Sequence, residues 1–211
     1  MTDQAGIQAK IWRGYGKAAR KLGAEYQFRR PAAGAFPGTA LFTRLVSINA
    51  EDMTYRKPDK YGKATKYAVV DGTGVAPGDY FIGPEGTFFI AAMQPLLPIL
   101  AVECNRTVVF ARVPNDPGVG ARGYSGMTAR SELPYASRVP CSILQGTKGE
   151  RNEAKLPADT RVPWWAVLVP AAVGTVQYGD TITDDLNQRY VVSSAELTAL
   201  GYRITATLAV A

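Results

Sequence analysis

Two stretches of the chain follow one plan: GDYFIGPEGTFFIAAMQPL at residues 78–96 and GDTITDDLNQRYVVSSAEL at residues 179–197. Each begins with Gly-Asp and continues through a β-forming run, a polar turn and a second run of β-branched or aromatic residues, which is typical of a β-hairpin. In this comparison Phe89-Ile90-Ala91 falls on Tyr190-Val191-Val192. The chain is therefore predicted to contain a duplicated β-module.

The similarity extends to the strands on both sides of each hairpin, although two unrelated hairpin regions remain the alternative. The predicted fold is mainly β, with an N-terminal α-helix followed by two related small β-barrel or sandwich-like modules. The predicted divisions are a basic helix and extended arm at 1–38, a first β-module at 39–113, a Gly/Pro-rich linker or loop at 114–138, and a second β-module at 139–211.

Composition narrows the chemistry that the chain can perform. The 211 residues are 46% hydrophobic and include no histidine, which excludes a Ser-His-Asp or Cys-His nucleophile. Cys104 and Cys141 are too few and too far apart for a zinc pattern. The apolar runs are too short to cross a membrane, and residues 1–10 lack a signal-peptide core. We therefore predict a protein made in the cytoplasm that is not an enzyme and has no catalytic residue, cofactor or metal site.

Residues 3–22 are predicted to form a helix with a strongly basic surface. Its apolar residues recur at helical spacing in a stripe, listed as Ile7, Ile11, Tyr15, Ala18 and Leu22. Asp3 or Thr2 can begin the helix and Gly23 can end it. Through Arg30 there are seven basic and two acidic residues, 7 − 2 = +5 of the formal +6.

Three partners suit this helix: nucleic-acid phosphates, a membrane surface, or a protein that covers the apolar stripe. The stripe has too few bulky residues for a membrane, so docking on a protein partner, or equally on the chain's own β-module, is favoured. The residues predicted to dock a partner or face DNA are Ile7, Lys10, Ile11, Arg13, Tyr15, Lys17, Arg20, Lys21, Arg29 and Arg30.

Two further motifs resemble ligand sites but have better explanations. GVGARG at 118–123 matches a dinucleotide-binding fingerprint, but it lacks the preceding strand and the following helix that such a site needs. Asp184 and Asp185, with Asp180 nearby, could attract a hard cation. They fall at the predicted hairpin, where aspartate favours the turn itself.

Three stretches resemble structural proteins of tailed bacteriophages: IWRGYGKAARKLGAEYQFRRP at 11–31, FFIAAMQPLLPILAVECNRTVVFAR at 88–112, and GDTITDDLNQRYVVSSAELTALGYRITATLA at 179–209. The last also resembles head–tail joining proteins, whose small β-barrel includes a Gly-Asp, a turn and a Tyr-Val strand. This chain differs from their usual single barrel by its duplication.

The resemblance implies a virion protein that forms part of a ring between portal and tail, or of the tail tube or baseplate hub. Its implied partners are copies of itself, portal or other head–tail and tail proteins, and DNA contacted without sequence preference as it passes. The alternative from another class is a nucleic-acid-binding accessory protein that acts through Lys10, Arg13, Lys17, Arg20 and Lys21.

Overall fold

The computed structural model describes residues 3–32, 34–50, 62–113, 132–146 and 163–209. The chain is mainly β after one N-terminal helix, as the sequence predicts. The elements in chain order are α1 (Gln4–Leu22), β1 (Ala24–Ala32), β2 (Ala35–Ala50), β3 (Thr65–Val69), β4 (Tyr80–Gly83), β5 (Gly86–Ala92), β6 (Ile99–Cys104), β7 (Arg106–Arg112), β8 (Leu133–Gln145), β9 (Trp164–Val169), β10 (Thr181–Asp184), β11 (Arg189–Thr198) and β12 (Gly201–Leu208).

The strands close into two barrels with one pairing scheme. In the first barrel the order is β1-β4-β5-β6-β3-β2, and β2 pairs back with β1. In the second barrel the order is β7-β10-β11-β12-β9-β8, and β8 pairs back with β7. Each strand of barrel 1 therefore has a counterpart six strands later. Closure satisfies backbone groups that an open sheet would leave at its edges.

The register shows how closely the two barrels correspond. Phe28 on β1 lies opposite Phe81 on β4, and Phe110 on β7 lies opposite Ile182 on β10. The β5–β6 hairpin and its counterpart, the β11–β12 hairpin, each contain a β-bulge at the same place, after Ile90 in β5 and after Val192 in β11. A bulge tightens the local twist, which helps a small sheet to close.

The sequence alignment of the two Gly-Asp hairpins is wrong by one residue from the turn onward. Ile82 pairs with Thr87 across the first hairpin, whereas Thr183 pairs with Arg189 across the second, so the second turn is one residue longer. As a result Phe88, rather than Phe89, corresponds to Tyr190. Because side chains alternate across a strand, the shift decides which residues enter the core.

The N-terminal arm predicted up to residue 38 is in fact strand β1 and the start of β2. Tyr26 and Phe28 alternate with more exposed residues and are fully buried, so β1 has a core-facing side despite the following Pro31. The Pro- and Gly-containing segment that suggested an arm contributes to the β1–β2 hairpin. Barrel 1 thus begins at Ala24 rather than at residue 39.

The boundary between the modules also differs from the prediction. β7 was assigned to the first module, but it pairs with β8 and β10 of barrel 2. Only Asn105 separates β6 from β7, so the barrels join with no long linker. Of the predicted linker 114–138, residues 133–138 belong to β8, while residues 114–131, including GVGARG, lie outside the described residues. β6 was not predicted at all.

Each barrel has an apolar interior, and the two interiors are bridged by a shared cluster. The core of barrel 1 comprises Tyr26, Phe28, Val46, Ala68, Val70, Phe81, Phe88, Ile90, Ile99 and Ala101. Tyr80, Phe89 and Ala91 alternate with these core residues and so point outward, yet they are buried in one cluster with residues of barrel 2. Burying outward-facing aromatic residues fuses the barrels into one body.

Specific hydrogen bonds fix the junction between the barrels. The Tyr80 hydroxyl donates to the Pro140 carbonyl at 2.9 Å. Asn105 Nδ2 donates to the Ile143 carbonyl at 2.9 Å, and Asn105 Oδ1 accepts from the Ile143 amide at 2.8 Å. The Asn105 side chain therefore acts as an extra rung beside β8 at the point where the chain passes between barrels.

Replacing Asn105→Ala should lower the free energy of unfolding by about 1–3 kcal/mol, because the Ile143 amide and carbonyl lose their side-chain partners. Urea unfolding followed by circular dichroism measures the loss. Asn49→Ala is the matched control, because within the described residues Asn49 Nδ2 donates to the nearby Ser47 carbonyl alone. Equal losses in the two variants would contradict a special role for Asn105 at the junction.

Candidate functional site

An arginine and an aspartate form the same buried contact in both barrels. At the end of β1, Arg30 Nε and Nη2 donate to the two carboxylate oxygens of Asp79, each at 2.7 Å. The Asp79 side chain is 2% exposed and also accepts the Ala76 amide at 2.8 Å. The bidentate hydrogen bond raises the pKa of Arg30. Asp79 thus ties the turn before β4 to the end of β1.

The counterpart in barrel 2 repeats this geometry and adds a donor. Arg112 Nε and Nη2 donate to Asp180 at 2.7 and 2.8 Å, and the Gln177 amide donates to Asp180 at 2.8 Å. The Tyr135 hydroxyl also donates to Asp180, at 3.0 Å. Burial, together with the Asp180 charge, raises the pKa of Tyr135. The Arg112 and Tyr135 side chains are therefore both bound to Asp180 within barrel 2.

Sequence reasoning did not identify these ion pairs, although a signal was present. The Gly-Asp sequences were recognised, but their arginine partners lie 49 and 68 positions earlier along the chain. Both arginines follow a phenylalanine by two positions, in Phe28-Arg29-Arg30 and Phe110-Ala111-Arg112. Extending the repeat to this Phe-x-Arg pattern would have moved the start of barrel 1 to β1.

The aspartates that resembled a cation site are accounted for individually. Asp180 is paired with Arg112, while Asp184 Oδ1 accepts the Leu186 amide at 3.0 Å and the Gln188 amide at 2.8 Å. The predicted turn role of Asp184 is therefore confirmed. Asp185 is half-exposed, and its Oδ1 lies 3.8 Å from Arg106 Nε. Across the described residues no group of three or more Cys, Asp or Glu side chains could hold a metal ion.

The two thiols lie near the junction of the barrels. Cys141 is fully buried, and Cys104 is partly buried. Burial raises the pKa of both thiols well above the ordinary value. A raised pKa disfavours the thiolate, which is the nucleophilic form of cysteine. Both side chains therefore behave as small apolar groups in this environment.

Helix α1 packs on barrel 1 beside β2 and β3. Trp12 lies so close to Gly72 that a Cβ there would come within 2.8 Å of the indole ring. The Tyr15 hydroxyl donates to the Leu96 carbonyl, and the Leu96 amide donates to Gln8 Oε1, each at 3.0 Å. Ala19 is fully buried. One face of the helix is thus fixed to loops at residues 71–74 and 95–97.

The buried face is rotated from the predicted stripe of Ile7, Ile11, Tyr15, Ala18 and Leu22. Ile7 is 40% exposed and Leu22 is 79% exposed, and Ala18 is also exposed. Ile11 and Tyr15 lie at the margin of the contact. The helix packs on barrel 1 in this orientation because the Trp12 ring lies directly against Gly72, and Gly16, which has no side chain, lies against Asp71. Ending at Gly23 is confirmed, but the Asp3 side chain makes no capping bond.

The opposite face of α1 is basic and exposed. Its five cations are Lys10, Arg13, Lys17, Arg20 and Lys21. At 100° per residue they fall within an arc of about 100°, and they extend for about 16 Å along the axis. Arg13 Nε donates to the Ala9 carbonyl. Burial tends to raise the pKa of Asp71, but the hydrogen bonds from Thr73 and the charges of Arg44 and Arg13 lower it.

Arg29 and Arg30, predicted with the helix residues, are not part of this face. Arg29 donates to the Gly38 carbonyl at 3.0 Å and to Gln27 Oε1 at 2.9 Å. Arg30 is paired with Asp79 as described above. Both side chains therefore stabilise β1 and its surroundings, and the structure does not bring them together with the basic face of α1.

Two adjoining clefts separate barrel 1 from the β11–β12 hairpin. One has a volume of about 380 Å³ and is lined by Arg30, Asp79, Pro170 and residues 198–201. The other, of about 310 Å³, is lined mainly by apolar side chains, listed as Phe89, Ala91, Leu100, Val102, Leu168, Leu200 and Tyr202. On the hairpin, Leu197 is 59% exposed and Leu200 is 45% exposed.

The matching outer face of barrel 2 is polar where that of barrel 1 is apolar. By register, Tyr80 and Ala91 of barrel 1 correspond to Thr181 and Ser193 of barrel 2. Thr181 donates to Glu132, and exposed Ser193 donates to the Thr205 carbonyl. Phe89, the third of these outward residues, corresponds to Val191, so barrel 2 keeps one apolar side chain there but lacks the aromatic pair that forms the contact between the barrels.

Comparison with protein-family models, curated proteins and solved structures found no match to the chain. The phage resemblance rests on the quoted sequence stretches. Among the described residues, α1 and every other helical segment are too short or too polar to span a membrane.

Replacing Arg30→Met should destabilise the protein more than Arg112→Met does. Removing one partner of a buried pair leaves an uncompensated carboxylate, at a cost of about 2–4 kcal/mol because both arginines are partly exposed. Among the described residues, Asp79 then retains the Ala76 amide alone, whereas Asp180 retains the Gln177 amide and the Tyr135 hydroxyl. Chemical unfolding of both variants tests the order, and a larger loss in Arg112→Met would refute it.

Replacing Gly14→Ala should stabilise the protein by about 0.5–1 kcal/mol through higher helix propensity. A Cβ at Gly14 meets nothing within 4 Å. Gly16→Ala is the matched comparison, because its Cβ would lie 3.0 Å from Asp71 Cβ. Thermal unfolding should show a higher midpoint for Gly14→Ala than for Gly16→Ala. The reverse order would mean that the docking of α1 has been assigned to the wrong face.

Proposed function

We propose that the chain is a structural subunit of a phage head–tail connector or tail. In this role it forms a ring with copies of itself, extends the DNA conduit and docks neighbouring virion proteins. The sequence resemblance supplies the biological setting. The two fused barrels supply a rigid body whose buried Asp79 and Asp180 are held by Arg30 and Arg112.

The observation that carries the proposal is the apolar cleft beside an exposed hairpin. Leu200 exposes apolar surface in a cleft that is also lined by Phe89, Leu100 and Leu168, and Leu197 is exposed on the same hairpin. Contiguous apolar surface of this kind marks a protein contact, because covering it releases water. The cleft is formed by both barrels, so only the intact two-barrel chain presents it.

A second copy of the chain is the proposed occupant. The polar Thr181 and Ser193 face prevents copies from repeating the internal barrel contact, so a ring has to use different surfaces. Barrel 1 offers one in the outward-facing Leu41 and Leu45 of β2, which are 37% and 36% exposed. A contact between two different surfaces is heterologous, and it closes into a ring when its rotation permits.

The double variant Leu197→Arg/Leu200→Arg should abolish ring formation without unfolding the barrels. Sedimentation velocity and negative-stain electron microscopy should show rings for the original protein and monomers for the variant. Leu186→Arg is the matched control, because Leu186 is 57% exposed but lies in the β10–β11 turn rather than on the β11–β12 hairpin. A protein that remains monomeric at every concentration, or rings that survive the double variant, would overturn the proposal.

A further inference from the structure

We infer that the outer face of α1 binds the sugar–phosphate backbone of a nucleic-acid duplex, without sequence preference. This face consists of Lys10, Arg13, Lys17, Arg20 and Lys21, and Gly14 lies at its edge, between Lys10 and Lys17 along the helix axis. The inference adds a partner to the proposed connector, but its physical basis is independent of ring formation.

The chain concentrates its charge on this helix. Residues 3–22 contain five cations and one acid, Asp3, giving 5 − 1 = +4 out of a formal net charge of +6. The acid lies at the start of the helix, before the first cation. A positive stripe along one helix face is the electrostatic footprint of a phosphate-binding protein.

The exposed cations of α1 are not held in ion pairs like those of the partly buried arginines elsewhere in the described part of the chain. Arg30 and Arg112 each hold an aspartate, and Arg189 pairs with Glu132. By contrast, Lys10 and Lys17 have no hydrogen-bond or ion-pair partner within the described part of the chain. The desolvation of a surface lysine is small, so its charge remains available to a phosphate.

The shape of the face suits a duplex backbone. The stripe extends for about 16 Å, which spans about five base-pair steps of roughly 3.4 Å. A Cβ on Gly14 would meet nothing within 4 Å, so no packing contact explains glycine there. With only hydrogen at that position, the helix backbone can approach a phosphate more closely between Lys10 and Lys17.

Other anionic partners fit this face less well. Proteins that bind single strands stack bases on aromatic rings, but Trp12 and Tyr15 are held against barrel 1. A membrane-surface helix needs a free apolar face, and that face of α1 is already docked. A protein interface has an apolar centre in which lysine is depleted, whereas here lysines occupy the centre and the exposed Ile7 and Leu22 lie at the ends.

Fluorescence anisotropy with a labelled mixed-sequence DNA duplex of about 20 base pairs tests the inference. Five phosphate contacts, one for each cation of the face, predict a slope of about −4.5 for log affinity against log salt, so binding should fall by roughly five-hundredfold between about 50 and about 200 mM salt. Lys10→Gln/Lys17→Gln/Lys21→Gln should flatten the slope by about 2.7, because three contacts are lost. Glutamine preserves helix propensity.

The control variant is Lys63→Gln/Arg138→Gln/Arg203→Gln, which removes the same charge from exposed positions outside α1. It should keep the original slope, and circular dichroism should show that both variants remain folded. Absence of duplex binding at about 50 mM salt, or equal loss in the two variants, would overturn the inference.

Three further probes separate the alternatives: a single strand of the same length, vesicles of phosphatidylserine and phosphatidylcholine, and polyglutamate. Tighter binding of any of these than of the duplex would overturn the inference and identify the preferred partner class. Duplex binding by a protein that forms no rings would support this inference while refuting the proposed assembly. Rings that do not bind the duplex would support the proposed assembly and refute this inference.

Discussion

The buried aspartate of each Gly-Asp sequence is the contact on which both barrels depend. The carboxylate of Asp79 holds Arg30 at the end of β1, and its backbone carbonyl accepts the Ile90 amide of β5 at 2.8 Å. Asp180 holds Arg112 and accepts the Val192 amide at 2.9 Å in the same way. One residue thereby connects the first strand, the entry turn and the central hairpin. Closure needs all three in register, because a slip of one residue would turn the core side chains outward.

The two barrels differ where their surroundings differ. Outward positions of barrel 1 carry Tyr80 and Phe89 because barrel 2 covers them, whereas Thr181 occupies the first of these positions in barrel 2. The same backbone plan therefore supports an apolar junction on one copy and a polar face on the other. This asymmetry ends the array at two barrels, and any larger assembly has to use surfaces outside the repeat.

Local sequence patterns predicted much of the fold but failed where distant residues decide the outcome. The helix predicted over residues 3–22 is observed at Gln4–Leu22, because its periodicity and its ending at Gly23 are local signals. β1 and β6 were missed because Pro31, Pro95 and Pro98 stand beside them, and proline is a signal for bends. Pro31 and Pro98 lie at strand ends, where their missing amide is tolerated, and Pro95 lies in the connection between β5 and β6.

The candidate surfaces were harder to predict because they depend on packing. The cations of α1 could be named from the sequence, but the apolar stripe was assigned to the wrong face. Ile7 and Leu22 have helical spacing, yet Trp12 and Gly16 match Gly72 and Asp71, which are far along the chain. The clefts depend on the relative placement of two barrels, which no short stretch of sequence records.

The element that precedes each barrel explains how the two copies have diverged. Gly23 leads from α1 into β1, and its close approach to the Val46 carbonyl leaves no room for a Cβ. Asn105 leads from β6 into β7 and leaves no space in the sequence for a second helix. Barrel 1 therefore displays a charged helix, while barrel 2 displays the exposed β11–β12 hairpin beside the clefts. A duplicated scaffold that has added different elements to its two copies can contact two kinds of partner at once, which is the physical requirement for a subunit that assembles around nucleic acid.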